Sequence, residues 1–125
     1  MIAADSSTWV AYLQGESGDD VELLDRVLAE RQLVLPAPVL TELLSDPKGD
    51  RTTGSDLLEV PLLEPTAGFW VRAGRLRAAV LARKRRARLA DALIAQLCTD
   101  HGVKLITRDR DFQAFAEASG LDLLI

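Results

Sequence analysis

The stretch VKLITRDRDF, residues 103–112, passes from an apolar run to a group of charges within ten residues. Its first half predicts a buried strand over Val103–Thr107, and Asp109 and Asp111 follow where that strand ends. The opening of the chain has the same pattern, because the apolar run Met1–Ala4 leads directly into Asp5. In open α/β sheets, ligands bind beyond the carboxyl ends of the strands. The two stretches therefore predict an α/β domain with an acidic site at that edge of its sheet.

Elsewhere, short apolar runs alternate with helical patterns, as is typical of a largely parallel sheet. We predict further strands at Leu33–Leu35, Val60–Leu63 and Leu121–Ile125. The second of these carries Pro61, which lacks a ladder donor, so it is expected at a sheet edge. Helices are predicted from Ser7 to about Gln14, from a cap at Asp19 or Asp20, after Pro36, from Thr66 to about Arg86, over Ala90–His101, and around Phe112 and Phe115. Asp46–Ser55 is expected to form a loop.

The composition describes an ordinary soluble globular chain, with 125 residues, 48% hydrophobic and 27% charged. This length fits one domain spanning residues 1–125. The single cysteine, Cys98, excludes an internal disulfide, and its apolar neighbours favour a buried structural thiol. We see no signal peptide and no run approaching the ~20 apolar residues of a membrane span, so a cytoplasmic location is expected.

The charge is unevenly distributed along the chain. The formal net charge is −4, yet eight of the fifteen basic residues lie between positions 72 and 88, where no acid occurs. These residues are Arg72, Arg75, Arg77, Arg83, Lys84, Arg85, Arg86 and Arg88. Such a patch can attract phosphates while the whole molecule stays acidic. A solvated helix face would account for it equally well.

Two more acids, Glu42 and Asp91, occur inside mostly apolar helical patterns. Each acid has an ordinary explanation by itself: Asp5 can cap a helix, Glu42 can face solvent, Asp91 can favour a helix dipole, and Asp109 and Asp111 can be loop charges, with Asp111 capping the next helix. Brought together, however, they would repel one another unless a hard divalent cation neutralised them. The acids therefore support a metal-site hypothesis.

Four segments resemble a known family. They are Asp5-Ser6-Ser7, LTELL over residues 40–44, ADALIA over residues 90–95, and ITRDRDF over residues 106–112. Their order and spacing resemble those of the PIN domain, specifically the VapC-type toxin ribonucleases of toxin–antitoxin pairs. The resemblance covers essentially the whole chain. The basic run Arg83–Arg88 is a departure, because it is more basic than the family pattern.

The resemblance implies an α/β fold with three layers, α/β/α, and a five-stranded parallel sheet. It implies a metal-dependent endoribonuclease that uses Mg²⁺ or Mn²⁺ and acts as a toxin. A cognate antitoxin, an RNA substrate and a second copy of the chain are the implied partners, with no membrane. The implied catalytic residues are Asp5, Glu42, Asp91 and Asp109, with Asp5, Asp91 and Asp109 as metal ligands and Ser7, Thr107 and Asp111 in support. Candidate RNA-phosphate contacts are Arg83, Lys84, Arg85, Arg86, Arg88, Arg108 and Arg110.

The residues of the chain restrict which group could act as the nucleophile of such a reaction. The only histidine, His101, precedes Gly102 at a predicted helix end, where a C-terminal cap is its expected role. Two-histidine cleavage and a serine or cysteine triad are therefore excluded, which favours a metal-activated water. That reaction would leave a 5′-phosphate and a 3′-hydroxyl. Two alternatives stay open: a PIN-like metal-dependent nuclease without a toxin role, and a non-catalytic module whose acids hold a partner's arginine.

Overall fold

The structure, a computed structural model, describes residues 1–49 and 57–124. Within those residues it has five strands: β1 (Ile2–Ala4), β2 (Leu33–Pro36), β3 (Leu62–Leu63), β4 (Lys104–Ile106) and β5 (Leu123–Leu124). The helices there are α1 (Ser6–Leu13), α2 (Asp19–Ala29), α3 (Ala37–Leu44), α4 (Phe69–Ala82), α5 (Leu89–Asp100) and α6 (Phe112–Ser119). The predicted loop over Asp46–Ser55 lies partly outside the described residues, as does Ile125.

The five strands form one sheet in the order β3-β2-β1-β4-β5, and every pair is parallel. From β1 the chain builds the sheet outward, first through β2 and β3 on one side and then through β4 and β5 on the other. Right-handed crossovers in these two opposite directions place the helices on both faces of the sheet. The predicted three-layer α/β/α fold is thereby confirmed, and so is the edge position of the strand predicted at Val60–Leu63, which is observed as β3. In β1 and β4, Ala4 pairs with Ile106, and the Asp5 amide donates to the Ile106 carbonyl at 3.0 Å. The residues that follow these two strands are therefore neighbours.

The longest helix, α4, is shorter at both ends than the predicted Thr66–Arg86. Gly68, just before it, has φ +79°, so helical geometry begins only at Phe69. At the other end the amides of Arg83 and Arg85 both donate to the Val80 carbonyl, which closes the helix before the basic run. The strand predicted at Val60–Leu63 is shortened similarly, because the Val60 amide turns back to the Leu57 carbonyl.

Cys98 lies fully buried in the main apolar core, as predicted. Burial, and to a smaller degree the Asp5 carboxylate, raise the pKa of this thiol to about 12. Because only the thiolate attacks disulfide reagents, we expect no labelling of the folded protein by an aromatic disulfide at pH 8, and one equivalent of labelling in strong denaturant. Release of the coloured thiol measures both; rapid labelling of the native protein would contradict the expectation.

No helix in the described parts of the chain is both long enough and apolar enough to cross a bilayer.

Candidate functional site: an acidic centre at the carboxyl edge of the sheet

Asp5 follows β1 and is only 3% exposed. Its Oδ1 accepts from the Thr8 amide at 3.2 Å, so the residue caps α1, and the Ser7 hydroxyl lies 2.8 and 2.9 Å from its two oxygens. Burial raises the pKa of this carboxyl, hydrogen bonds from Ser7, Thr107 and the Thr8 amide oppose the shift, and the charge of Asp109 adds to it. The capping role expected of Asp5 and its place in an acidic centre therefore coexist.

Asp91 lies in the first turn of α5, a helix whose later residues are largely buried. Its Oδ2 is buried and has no hydrogen-bond partner. Burial raises the pKa of Asp91 to about 6, and the charges of Asp109, Asp5 and Glu42 raise it further, while Arg88 lowers it. An unpartnered carboxylate oxygen within the field of three other acids is costly unless a cation joins it.

Asp109 is held by a tight turn after β4. Its amide donates to the Thr107 hydroxyl at 3.0 Å, and its Oδ1 accepts from the Asp111 amide at 2.9 Å. Thr107 is buried and also hydrogen-bonds to Asp5, so one hydroxyl links the ends of the two central strands. Asp111 stands at the N-cap of α6 but makes no capping hydrogen bond. Its Oδ2 instead lies 3.9 Å from Arg86 Nη1.

Glu42 is exposed on α3, as its solvent-facing interpretation predicted. Its Oε1 accepts a hydrogen bond of 2.7 Å from the Ser6 hydroxyl, which ties α3 to the first turn of α1. The side chain is close enough to add to the negative field at Asp91. Glu42 therefore borders the acidic centre at its solvent side.

We define the acidic centre as Asp5, Glu42, Asp91 and Asp109. The negative charges of the other three residues all act on Asp91. Among residues 1–49 and 57–124, however, no three acidic, histidine or cysteine side chains form a ready-made metal cage. Mg²⁺ keeps several waters and commonly takes only one or two protein carboxylates, with substrate phosphates supplying further oxygens. The all-oxygen donor set and the unpartnered Asp91 oxygen fit a partly hydrated hard cation of that kind.

Arg108 has partners that the sequence did not predict. Its Nε and Nη2 donate to the two oxygens of Asp20 at 2.8 and 2.9 Å, and Nη2 also lies 3.4 Å from the Ser17 carbonyl. Asp20, only 6% exposed, accepts a third bond from the Thr8 hydroxyl at 3.0 Å. Arg108 therefore belongs to an internal ion pair, which we call the Asp20–Arg108 clamp, and its contact with RNA phosphate stays a prediction.

The predicted cap for α2 was also wrong, because Gly18 occupies the N-cap and Asp20 points inward. One signal in the sequence could have indicated this. Asp20, Leu24 and Val27 are spaced four and three residues apart and are the buried face of α2. An acid within such a stripe needs a buried partner.

The remaining predicted site residues lie outside the acidic centre. Arg83, Lys84, Arg85, Arg86 and Arg88 are exposed in the connection between α4 and α5, and Arg110 is exposed in the turn after β4. His101 is the C-cap of α5, as predicted, and its Nε2 lies 3.0 Å from the Glu64 carbonyl oxygen. It takes no part in the acidic centre.

The protein is an open parallel α/β domain with carboxylates near the carboxyl ends of β1 and β4. These two features define its structural class. The chain matches the PIN domain model over residues 2–118. It is 30% identical over 131 residues to ribonuclease VapC11 of Mycobacterium tuberculosis, covering 97% of this chain and 96% of that protein. It therefore belongs to the PIN-domain family and, within it, to the VapC group.

Solved structures of low sequence identity share the fold. VapBC2 from Rickettsia felis, bound to a DNA fragment from its promoter, superposes with a TM-score of 0.74 at 21% identity, covering 99% of this chain and 98% of that one. VapBC-5 from Mycobacterium tuberculosis gives 0.68 at 19% identity, covering 98% and 96%. At these identities the likeness bears on the fold alone, and it agrees with the sheet order described above.

Proposed function

We propose that this protein is a metal-dependent endoribonuclease that acts as the toxin of a toxin–antitoxin pair. The observation that carries the proposal is the buried, unpartnered oxygen of Asp91 within the field of Asp5, Asp109 and Glu42. The relative VapC11 is named a ribonuclease, and it matches nearly the whole chain. A phosphodiester is negatively charged and would be repelled by a cluster of acids. A bound cation removes that repulsion, so a phosphodiester is the substrate class that such a site favours.

We assign different roles to the side chains of the site. Asp5 and Asp91 are the proposed central oxygen ligands, and Asp109 and Glu42 complete the site. When bound, Mg²⁺ or Mn²⁺ would neutralise these carboxylates, activate water and stabilise charge on the leaving oxygen. Ser7 and Thr107 hold the Asp5 carboxylate by hydrogen bonds, and the turn through Asp111 holds Asp109. These contacts fix the acids before substrate arrives.

The proposed partner is an antitoxin protein. VapBC-5, which shares this fold, is a member of the VapBC family of toxin–antitoxin systems. Homodimerisation stays a prediction. Exposed apolar side chains on α4 could serve it: Trp70 is 66% exposed and its neighbour Val71 is exposed as well, whereas Phe69 is buried in a small apolar cluster.

The test is cleavage of a labelled RNA pool by the parent protein and two matched variants. We expect cutting with Mg²⁺ or Mn²⁺, none with EDTA, and 5′-phosphate ends. Asp5→Asn should lose activity by at least about 100-fold, because it removes a charged group that stabilises the transition state through the cation. Asp122→Asn, an exposed acid before β5, is the control and should cut normally.

Cutting that persists in EDTA or in Asp5→Asn would contradict the proposal. Absence of cleavage by a folded parent across the pool would favour the alternative in which the acids hold a partner's arginine. The toxin role is tested by expression in growing cells, where the parent should arrest growth and Asp5→Asn should not. Normal growth with a parent that cleaves RNA would favour a nuclease without a toxin role.

A further inference from the structure

The connection between α4 and α5, residues 83–88, borders the acidic centre; we call it the basic loop. Arg88 is the N-cap residue of α5, and Asp91 lies in the first turn that follows. On another side, Arg86 Nη1 is 3.9 Å from Asp111 Oδ2. The basic loop therefore runs beside the carboxyl edge of the sheet, next to the acids.

The cations of the basic loop are weakly engaged, in contrast to the basic side chains of α4. Arg72 donates to both oxygens of Asp100, at 3.1 and 2.7 Å, and Arg77 Nε donates to the Ala87 carbonyl at 2.8 Å. Arg83 and Arg85 reach Glu117 only at 4.0 and 3.8 Å. Charge-assisted hydrogen bonds are roughly 2.7–2.9 Å long, and exposed pairs at longer range contribute about 0–1 kcal/mol.

Two cations of the basic loop, Lys84 and Arg88, form no salt bridge with any side chain in the described ranges. Arg86 is also well exposed, since 65% of its side chain is accessible. Five positive charges thus stand in solvent on the basic loop, and the acids within reach of them, Glu117 and Asp111, are held too loosely to occupy them. A stronger anion would displace these contacts at little cost.

The backbone of the basic loop has a defined shape. Lys84 has φ +59°, a left-handed conformation that costs a residue other than glycine about 1 kcal/mol. The Val80 carbonyl accepts from two loop amides, and Ala87 is buried with its carbonyl held by Arg77. The backbone is therefore anchored at both ends, while the cationic side chains project outward.

A polyanionic strand needs such a surface next to such a centre. A cation at the acids compensates the phosphate that is cut, but the phosphates on either side would still meet the field of Asp5, Asp91, Asp109 and Glu42. We propose that the basic loop binds the phosphates flanking the scissile one in a single RNA strand, an inference that rests on the proposed function. The contacts are made to the backbone, so they are independent of base sequence.

The test compares two triple variants with equal loss of charge. The loop variant carries Arg83→Gln, Arg85→Gln and Arg86→Gln; the control carries Arg26→Gln, Arg75→Gln and Lys104→Gln, three exposed cations outside the loop. Each variant takes the formal net charge from −4 to −7. Binding of a fluorescent single-stranded RNA is measured in EDTA over a range of salt concentrations. Circular dichroism and thermal melting confirm folding.

We expect the loop variant to lose about 2 from the slope of log K against log salt, since each single-strand phosphate contact contributes about 0.7. At about 0.1 M salt, one decade below 1 M, this corresponds to binding that is about 100-fold weaker. The control should keep the parental slope. An unchanged loop variant, an equal loss in the control, or a parent without salt-dependent RNA binding would each overturn the inference. The inference would also be overturned if the loop variant kept its RNA binding but no longer bound an acidic protein partner.

Cleavage assayed in parallel separates this inference from the proposed function. If the parent cuts RNA and the loop variant has the same kcat/KM and salt slope, the inference is wrong and the nuclease function stands. If the parent binds RNA through the loop yet cuts none, RNA binding by the basic loop stands, whereas the nuclease function fails and with it the assignment of these contacts to phosphates beside a scissile one.

Discussion

Asp91→Asn should abolish RNA cleavage and at the same time stabilise the metal-free protein at pH 7. Activity should fall by at least about 100-fold, because Asp91, a central ligand of the proposed cation, would lose its negative charge. Stability should rise because the folded pKa of Asp91 is about 6, above the ordinary value of 3.8. The folded state therefore holds its proton more tightly than the unfolded state, and stability declines as pH rises between these two values.

The expected gain for Asp91→Asn is about 1–2 kcal/mol at pH 7, after allowing for the solvent that reaches this partly buried side chain. It should shrink as pH falls towards 3.8 and vanish below about pH 3, where the carboxyl is protonated in both states. Urea unfolding at pH 4 and pH 7 in EDTA measures it. Asp100→Asn is the control of opposite sign: hydrogen bonds from Arg72 lower the pKa of Asp100, so its loss should destabilise the protein. A destabilised Asp91→Asn at pH 7 would refute the mutual repulsion on which the site assignment depends.

Arg108→Ala should cost about 2–3 kcal/mol of unfolding free energy, the largest loss of stability that we expect from a single basic residue. Its removal leaves Asp20, buried and negatively charged, without the two hydrogen bonds that compensate it. We place the cost below that of a fully buried pair because about a third of the Arg108 side chain is accessible. Chemical denaturation at pH 7 provides the measurement.

Arg110→Ala is the matched control, since Arg110 lies two residues away in the same turn and is exposed. Its effect should stay within about 0.5 kcal/mol. Arg108 lowers the pKa of Asp20, so the stability contributed by the Asp20–Arg108 clamp is present above the ordinary pKa of 3.8 and is lost as pH falls through the lower folded value. Equal effects of the two alanine substitutions would show that the clamp adds nothing to stability.

The sequence predicts those parts of the fold that depend on local pattern. The apolar runs before Asp5 and Asp109 locate the two central strands, and Pro61 locates the edge strand. The exact ends of α4 were not predictable, because they depend on the backbone at Gly68 and Lys84 rather than on apolar spacing.

Long-range pairing explains what the sequence could not provide. Arg108 and Asp20 are 88 residues apart, and both are of types usually found at the surface. Only the position of Asp20 in the apolar stripe of α2 hints that a partner exists, and nothing in the local pattern identifies it as Arg108. The same applies to Arg77, whose bond to the Ala87 carbonyl shapes the basic loop. The approach of Asp5 to Asp109, by contrast, follows from the parallel pairing of β1 and β4 once the strands are placed.

The central position of β1, between β2 and β4, has a consequence for the newly made protein. β1 can pair with β2 when only the first third of the chain exists, but Asp5 meets Asp109 only after about seventy further residues have been added. Until then Asp5 caps α1 and supports an incomplete sheet. Translation itself therefore delays the assembly of the acidic centre, and under the function proposed above a growing chain on the ribosome would not yet cleave RNA.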